Sequence, residues 1–394
     1  MHILWLATKA PWPPVDGGRL LMASTLQELA RLGRQVTVVA PMRPGDPEPQ
    51  VPDGIEFRPV PEAFRSKVTD LLASWTRGRP FSMARHTSPG MRRLVEALWD
   101  SGDFDLVHVE QVQALDNVSA ALWRRQVPVL LRAQNVESDL WRALARLRGF
   151  VRPLLDFEGR LLAAYEGRAV GRCALTATLT DEDRQRLREL SSIDPGPDEQ
   201  GGLVTVPPPF PAEQEPGTAV LAGDPALVIF GSAGWIPNRL GAEWFLREVQ
   251  PELRRRVPGA RLHLFTDVLL DPLPESVTLH EPRRDSADVF APGSVLVVPL
   301  HMASGIRMKI LEAWSRGVPV IATSVAARGL GAVHGEHIFV ADDADGFVQA
   351  VQRLRDPAAY GAMVEAGRRR LREVYDPRRV AESLLGHYEA LISD

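Results

Sequence analysis

The stretch 294-SVLVVPLHMASGIRMKILEAWSRGVPVIATS-324 decides the fold class. Its run 295–300 is apolar throughout rather than at every second position, and so reads as a strand buried on both faces. A short loop with Ser304 and Gly305 follows, then a helix-forming segment to about Arg316. Gly317 and Pro319 stop that helix, and 318–323 reads as the next strand. Open parallel sheets bind ligands beyond the C-terminal ends of their strands, where the N–H groups of a helix N-terminus suit phosphate. At about 100° per residue, Ile306, Ile310 and Trp314 form an apolar stripe for the sheet, whereas Gly305, Lys309 and Glu312 fall within roughly 60° of one another on a different face. A glycine, an ammonium and a carboxylate so placed suit a sugar nucleotide, with phosphates at the first turn and ribose at Glu312. An ordinary surface pair between Lys309 and Glu312, worth roughly a few tenths of a kcal/mol, fits the same spacing.

Outward from that unit, 394 residues exceed one ordinary core, so two domains are expected. A hydrophobic content of 45% with 24% charged residues describes a globular chain, and a net charge of -4 gives no general attraction to nucleic acid. The single cysteine, Cys173, excludes an internal disulfide framework and a cysteine-based metal site. The N-terminal apolar run is too short for a signal peptide, and no run of 18 apolar residues spans a membrane, so a cytoplasmic location is expected. Only three of the 46 basic residues are lysine: Lys9, Lys67 and Lys309. In so arginine-rich a chain, a retained lysine points to a place where a compact ammonium is preferred to a planar fork.

Taken in order, 2–7 reads as a strand and 20–32 as a helix. The loop between them, 8-TKAPWPPVDGGR-19, ends in Gly17 and Gly18, which let backbone approach a ligand closely or simply make a βα turn. It is not G-x-G-x-x-G, which argues against a nicotinamide cofactor. Residues 35–40 read as a second strand and 42–61 as poorly patterned. A basic helical stretch, 63–99, carries Arg65, Lys67, Arg77, Arg79, Arg85, Arg92 and Arg93. It suits an anionic acceptor or a lipid surface, or else a solvated helix face with its apolar side on the core. Strands at 105–109 and 127–132 end in the polar turns 108-HVEQ-111 and 132-RAQNVES-138, with helices following to about Gly171. After a strand at 175–180, Thr180 to Asp183 open a helix with capping-box chemistry. Residues 191–224, with PGP and PPPFP, have little period beyond a candidate strand at 203–206 and form the linker region. A second α/β domain then shows strands at 226–231, 261–265, 277–280 and 339–341, and a helix at about 239–248. Two helices finish the chain, the last over 377–392.

With both halves laid out, the chain resembles the retaining GT-B glycosyltransferases of family 4, the group 1 glycosyl transferases. The segment 304-SGIRMKILEAWSRGVPVIAT-323 is similar to that family's glycine-rich turn, K-x-L-E-A helix and G-x-P-V strand. Further matches are residues 13–19, the NVE of 135–137, 235-WIPN-238, 298-VPL-300 and 375-YD-376. The resemblance implies two Rossmann-like, doubly wound parallel-sheet domains facing across a cleft: 1–206 with 377–394 on the acceptor side, a linker 207–224, and 225–376 binding the nucleotide sugar. It implies a donor site of Gly17, Gly18, Arg19, Gly231, Ser232, Asn238, Ser304, Gly305, Ile306, Arg307, Lys309 and Glu312. Glu312 would meet the ribose. Lys309 rather than Arg307 would meet the diphosphate, since Arg307 lies on the stripe side of the helix. Glu110, Asn135 and Glu137 would lie on the acceptor side, with Gln134, Lys309 and Glu312 as the catalytic set.

Two departures from the family stand out. Ser304 occupies the first place of its E-x7-E carboxylate pair. Gln134 stands just before NVE, where similar sequences usually have a histidine thought to contact the transferred sugar. Glutamine donates a hydrogen bond but does not titrate. In front-face retaining transfer the leaving diphosphate can take the acceptor proton, so the site chiefly stabilises charge. The usual glycine-rich turn after the third strand of the second domain is replaced by Thr266, Asp267 and Val268. The acidic run Asp342, Asp343 and Asp345 is similar to a metal-binding D-x-D, yet it directly precedes a helix, where acids cap. The expectation is a metal-independent and cofactor-independent transferase using a nucleotide sugar and a saccharide, lipid-linked or small-molecule acceptor, with peripheral membrane association left open and no nucleic acid partner. The alternatives are a transferase-like binding or scaffold protein without turnover, and a nucleotide-sugar epimerase with His108, Glu110 and Glu137 as acid–base groups.

Overall fold

The computed structural model describes residues 1–393 except 44, 47, 62–69, 72–73, 77, 148, 150, 192–201, 268–272 and 282–285. The chain divides into two compact units, one of Met1–Pro209 with Ser304–Ile306 and Pro377–Asp394, the other of Phe210–Ala303 with Arg307–Asp376.

In the first unit, Ile3, Leu4, Trp5 and Leu6 have no exposed surface, as a strand covered on both faces requires. That strand, β1 (His2–Leu6), lies third in a seven-stranded sheet with β2 (Gln35–Met42), β3 (Ile55–Pro61), β4 (Leu106–Glu110), β5 (Val129–Ala133), β6 (Leu175–Thr178) and β7 (Leu203–Thr205). The order is β3-β2-β1-β4-β5-β6-β7 and all pairs are parallel. Ile3 pairs with Val36 on one side and Leu106 on the other, so the direction of winding reverses between β1 and β4. Leu4, Leu6, Val107, Val109 and Leu131 share a core with Met91 and Val95 of the helix Pro89–Ser101 and Leu162 of the helix Arg152–Arg172. The helix Gly17–Arg31, capped by Asp16, packs with the C-terminal helix Pro377–Ser393.

The second unit repeats the plan with β8 (Ala226–Phe230), β9 (Arg261–Phe265), β10 (Val277–His280), β11 (Ser294–Val298), β12 (Val320–Ala322) and β13 (Phe339–Val340). Its order is β10-β9-β8-β11-β12-β13, again all parallel, with the reversal between β8 and β11. Leu227, Ile229, Val295, Val297 and Ile321 pack with Phe245, Val249 and Phe347. Two parallel-sheet α/β domains are therefore present, as the sequence predicts.

Several boundaries differ, for physical reasons. The unpatterned region 42–61 contains β3, whose exposed, proline-bearing sequence IEFRPVP suits the sheet edge that it occupies. The helix of the opening stretch starts only at Met308. Gly305 takes φ +70°, and Arg307 at ψ 88° is not yet helical, so Gly305 and Ile306 precede the helix and do not share its faces. The helix expected at 239–248 begins earlier, at Ile236 with Pro237 in its first turn, and passes into a π turn over Phe245–Val249. Of the basic stretch, Arg65, Lys67 and Arg77 lie outside the described residues, as does Val268. Arg79 pairs with Asp116, and Arg92 Nε donates to the Asp116 carbonyl at 2.6 Å. Asp343 caps Gly346 N–H at 2.8 Å, Asp342 accepts from Ser324 N–H at 2.8 Å and Asp345 pairs with Arg256, so the acidic run is spent on helix ends and an ion pair. Among the described residues no helix is long and apolar enough to cross a membrane.

Candidate functional site

The reversal point between β1 and β4 places two strand ends side by side, and polar residues collect there as the open-sheet rule predicts. Glu110 ends β4 and Arg132 lies opposite it in β5. Their side chains, wholly buried, form a forked ion pair with Arg132 Nη2 to Glu110 Oε2 at 2.6 Å. Arg132 Nη1 also donates to Thr25 Oγ1 at 2.9 Å, and its guanidinium lies 5.2 Å from the Trp5 ring centroid. Burial alone would raise the Glu110 pKa, but the Arg132 charge and the His108 hydrogen bond overcome it and hold the group at about 2. His108 is pushed down to about 4, chiefly by burial, and is neutral. Because Glu110 is ionised, His108 Nε2–H donates to it at 3.2 Å, which leaves Nδ1 to accept from the Tyr388 hydroxyl at 2.7 Å.

Gln134 sits on top of this cluster. Its Nε2 donates to Glu110 Oε1 at 2.9 Å and its Oε1 accepts from Gln111 Nε2 at 2.9 Å. Gln111, at φ +69°, in turn accepts from the Thr8 hydroxyl. A chain of hydrogen bonds thus runs from Tyr388 through His108, Glu110, Gln134 and Gln111 to Thr8, across the reversal point. Gly18 lies against it, since a Cβ there would come 3.0 Å from Gln134 Oε1. Lys9 Nζ donates to Asp16 Oδ1 at 2.7 Å, and Arg19 Nε lies 3.6 Å from Asp16 Oδ2. Burial opposes ionisation of Asp16, but Lys9 and the Arg19 N–H outweigh it and lower its pKa. Ser304 Oγ both accepts from Val136 N–H and donates to Val136 C=O at 3.0 Å, and a Cβ on Gly305 would meet the Gln134 carbonyl at 2.5 Å. Beside Asn135, the half-buried Glu137 has its pKa raised by burial despite hydrogen bonds from Gln113 and Asn135. A cavity of about 790 Å³ opens over the ends of β1 to β4, lined by Thr8, Lys9, Arg19, Gln111 and Gln113 among others.

In the second unit the matching reversal point lies between β8 and β11. Lys309, from the helix Met308–Ser315, donates to the Phe230 carbonyl at 2.7 Å and to Asn238 Oδ1 at 3.3 Å, with Nζ 4.8 Å from the Phe230 ring centroid. Desolvation is the sole cause moving its pKa, down to about 8, so no carboxylate among the described residues offsets it. Gly231, at φ +135°, gives this ammonium its room: a Cβ would fall 2.4 Å from Asn238 Nδ2 and 3.1 Å from Lys309 Nζ. Asn238 Nδ2 also donates to the Ser232 carbonyl at 3.2 Å. Glu312 takes both its hydrogen bonds on Oε1, from Ser286 Oγ at 2.6 Å and Arg316 Nε at 3.1 Å. The surface Lys309–Glu312 pair is therefore not formed. Arg307 is buried and its Nη2 donates to the Arg328 carbonyl at 2.9 Å.

These positions redistribute the sequence-derived residues. Lys309, Gly231, Ser232, Asn238 and Glu312 fall within the second unit, whereas Gly17, Gly18, Arg19, Ser304, Gly305 and Ile306 fall within the first. Glu110 is sealed beneath Gln134 instead of facing an acceptor, because Arg132 draws it inward. His108 is equally sealed, which leaves only Glu137 of the three acid–base groups in the epimerase reading. Asp16, Arg132 and Tyr388 were not expected. Asp16 was legible as an N-cap before a glycine-led helix, and Arg132 as an opposite charge in the strand after Glu110. Tyr388 gave no local signal. Among the described residues, no group of three or more His, Cys, Asp or Glu side chains is arranged to hold a metal ion.

Comparisons with known proteins agree with this layout. Residues 17–198 match the model for a glycosyl transferase 4-like domain and residues 224–356 that for glycosyl transferases group 1, most of the chain between them. Sucrose-phosphate synthase from Thermosynechococcus elongatus superposes with a TM-score of 0.75 at 16% identity, covering 100% of this chain and 99% of that one. HepE from Anabaena, in complex with UDP and glucose, gives 0.64 at 12% identity over 99% of this chain and 100% of its own. WaaG, a glycosyltransferase involved in lipopolysaccharide biosynthesis, gives 0.61 at 15% identity over 97% and 98%. At such identities the likeness is one of fold. An uncharacterized 44.6 kDa protein in the cps region of Klebsiella pneumoniae is 23% identical over 130 residues, 29% of this chain and 34% of that relative's length.

Proposed function

The chain belongs to the group 1, family-4-like glycosyltransferases of GT-B fold, and on that premise we propose that it moves a sugar from a nucleoside diphosphate to a saccharide, lipid-linked or small-molecule acceptor, with retention and without a metal ion. The observation that carries the donor assignment is the Lys309 ammonium, desolvated and unneutralised at the reversal point of the second sheet, beside the bare backbone of Gly231. An ammonium has three N–H donors. Two are used here, and the third suits a diphosphate oxygen. Glu312 keeps Oε2 for ribose hydroxyls while Ser286 and Arg316 hold Oε1. HepE is described with UDP and with UDP-glucose, and a nucleotide sugar is the donor class assigned here.

In this reading the bond from the anomeric carbon to the diphosphate oxygen breaks and a bond to an acceptor hydroxyl oxygen forms on the same face. The hydroxyl proton passes to the leaving diphosphate, whose charge Lys309 stabilises. Gln134 takes no proton; its amide, fixed by Glu110 and Gln111, orients a sugar hydroxyl. The acidic run near Asp342 is engaged elsewhere, and charge stabilisation falls to Lys309. The test is binding and hydrolysis of UDP-, GDP-, ADP- and TDP-sugars, with the product anomer read by NMR. At least one sugar nucleotide should bind and give an α- or β-product matching its donor; binding of none, or inversion, contradicts the reading. One observation favours a second reading, a nucleotide-sugar binder without turnover: Gln134 stands where similar sequences carry a histidine. Tight donor binding with no transfer until Gln134→His is introduced would select it.

A further inference from the structure

The cavity over the ends of β1 to β4 is wide enough for a mono- or disaccharide, since small-ligand sites run to roughly 300–1,000 Å³, and its charges say more about the occupant. Four cationic side chains line it among the described residues, Lys9, Arg19, Arg43 and Arg85, against the two acids Asp46 and Asp70. Lys9 and Arg19 both face Asp16, although Arg19 Nε is itself buried without a hydrogen-bond partner. Arg85 is in no such ion pair among the described residues. It comes from the basic stretch in which Arg79 and Arg92 are tied to Asp116 and Arg93 is exposed. Arg85 Nη1 is buried and has no hydrogen-bond partner. A buried, unanswered guanidinium N–H is costly, and a ligand anion removes that cost with a charge-assisted bond. Nearby, Gln113 hydrogen-bonds Glu137, and its buried Oε1 is also without a partner. The two residues that carry this orphan donor, which prefers an anion, and this orphan acceptor, which prefers a hydroxyl, line one cavity.

We propose that this cavity binds the acceptor, and that the acceptor is a hydroxylated molecule carrying a phosphate or carboxylate, its anionic group on Arg85 and a hydroxyl on Gln113. The word acceptor rests on the transferase reading; the anionic preference rests on the cavity alone. The test is calorimetric titration of the whole chain with glucose, glucose 6-phosphate and glucuronate, and with phosphatidylcholine vesicles containing or lacking phosphatidylinositol. The nucleoside diphosphates are titrated in parallel. A soluble anionic sugar should bind at least about tenfold more tightly than glucose; retention on phosphatidylinositol vesicles alone would place the same chemistry on a lipid headgroup and equally support the proposal. Arg85→Gln should reduce the preference about tenfold and Arg85→Lys should keep part of it, with nucleotide binding unchanged in both as the check on folding. Equal binding of glucose and the anions, no binding of any probe, or a preference that survives Arg85→Gln overturns the inference. Anion binding without any nucleotide binding would refute the transferase reading and leave the anionic site standing.

Discussion

Lys309 is held in a state that folding alone does not favour. Its pKa in the folded chain, about 8, lies below the ordinary 10.5. The stability contributed by this group is therefore complete only above about pH 10.5 and is lost as pH falls through 8. At neutral pH a charged, desolvated ammonium weighs against the fold, and Lys309→Met should raise unfolding stability by about 1–2 kcal/mol in denaturant titrations. The same variant should weaken nucleoside diphosphate binding at least about tenfold, or about 1.4 kcal/mol. Wild-type affinity should fall as pH rises above about 8, where the ammonium loses its proton, and the Lys309→Met profile should stay flat over that range. A variant that is less stable and binds as before would show Lys309 to be structural. The sparse lysines in the sequence pointed toward this site. Lys9 and Lys309 both lie beyond a strand end at a reversal point, whereas Lys67 lies outside the described residues. The environment of Lys309 was not legible, because Phe230 and Asn238 reach it from over 70 residues away.

Among the elements, apolar continuity exposed the strands that are buried on both faces, such as β1 and β11. It missed β3, whose edge position lets polar and proline residues stand. The helix entry at Met308 was misjudged for a related reason: the sequence period persists through Ile306, but Gly305 adopts a left-handed φ that no helix continues through. A second consequence arises where the helices Glu137–Leu147 and Arg152–Arg172 meet. The Glu166 carboxyl accepts from the N–H groups of Glu137 at 2.6 Å and Ser138 at 3.3 Å, at the first turn of the former helix. Burial, with the nearby Glu137 charge, lifts its pKa from 4.5 to about 7. The unfolded chain releases this proton first, so the stability it contributes is full below about pH 4.5 and is lost as pH rises through 7. Wild type should lose about 1–3 kcal/mol between pH 5 and pH 8 relative to Glu166→Gln, measured by urea unfolding. Parallel pH profiles for the two proteins would refute it.

At the scale of the molecule, each sheet places its reactive residues at its own reversal point. The sequence foretold this two-domain plan from the repeat of strand and helix, and then from the resemblance of residues 304–323. The contribution of the last helix was less visible. Tyr388, 280 positions from its partner, donates to His108 and so fixes the tautomer that supports Glu110 and Gln134. Tyr388→Phe leaves buried Nδ1 unpaired and should lower stability by about 1–3 kcal/mol while nucleotide affinity stays within about twofold. A loss of nucleotide affinity in step with stability would contradict that separation. The central claim is that the second unit holds a nucleotide sugar through Lys309. It is tested most directly by titrating UDP, GDP, ADP and TDP into the wild type and Lys309→Met at pH 7. The prediction is one preferred nucleotide that binds the wild type and binds the variant at least about tenfold more weakly, although the variant is the more stable protein. Binding of none of the four, or equal affinity in the two proteins, contradicts it.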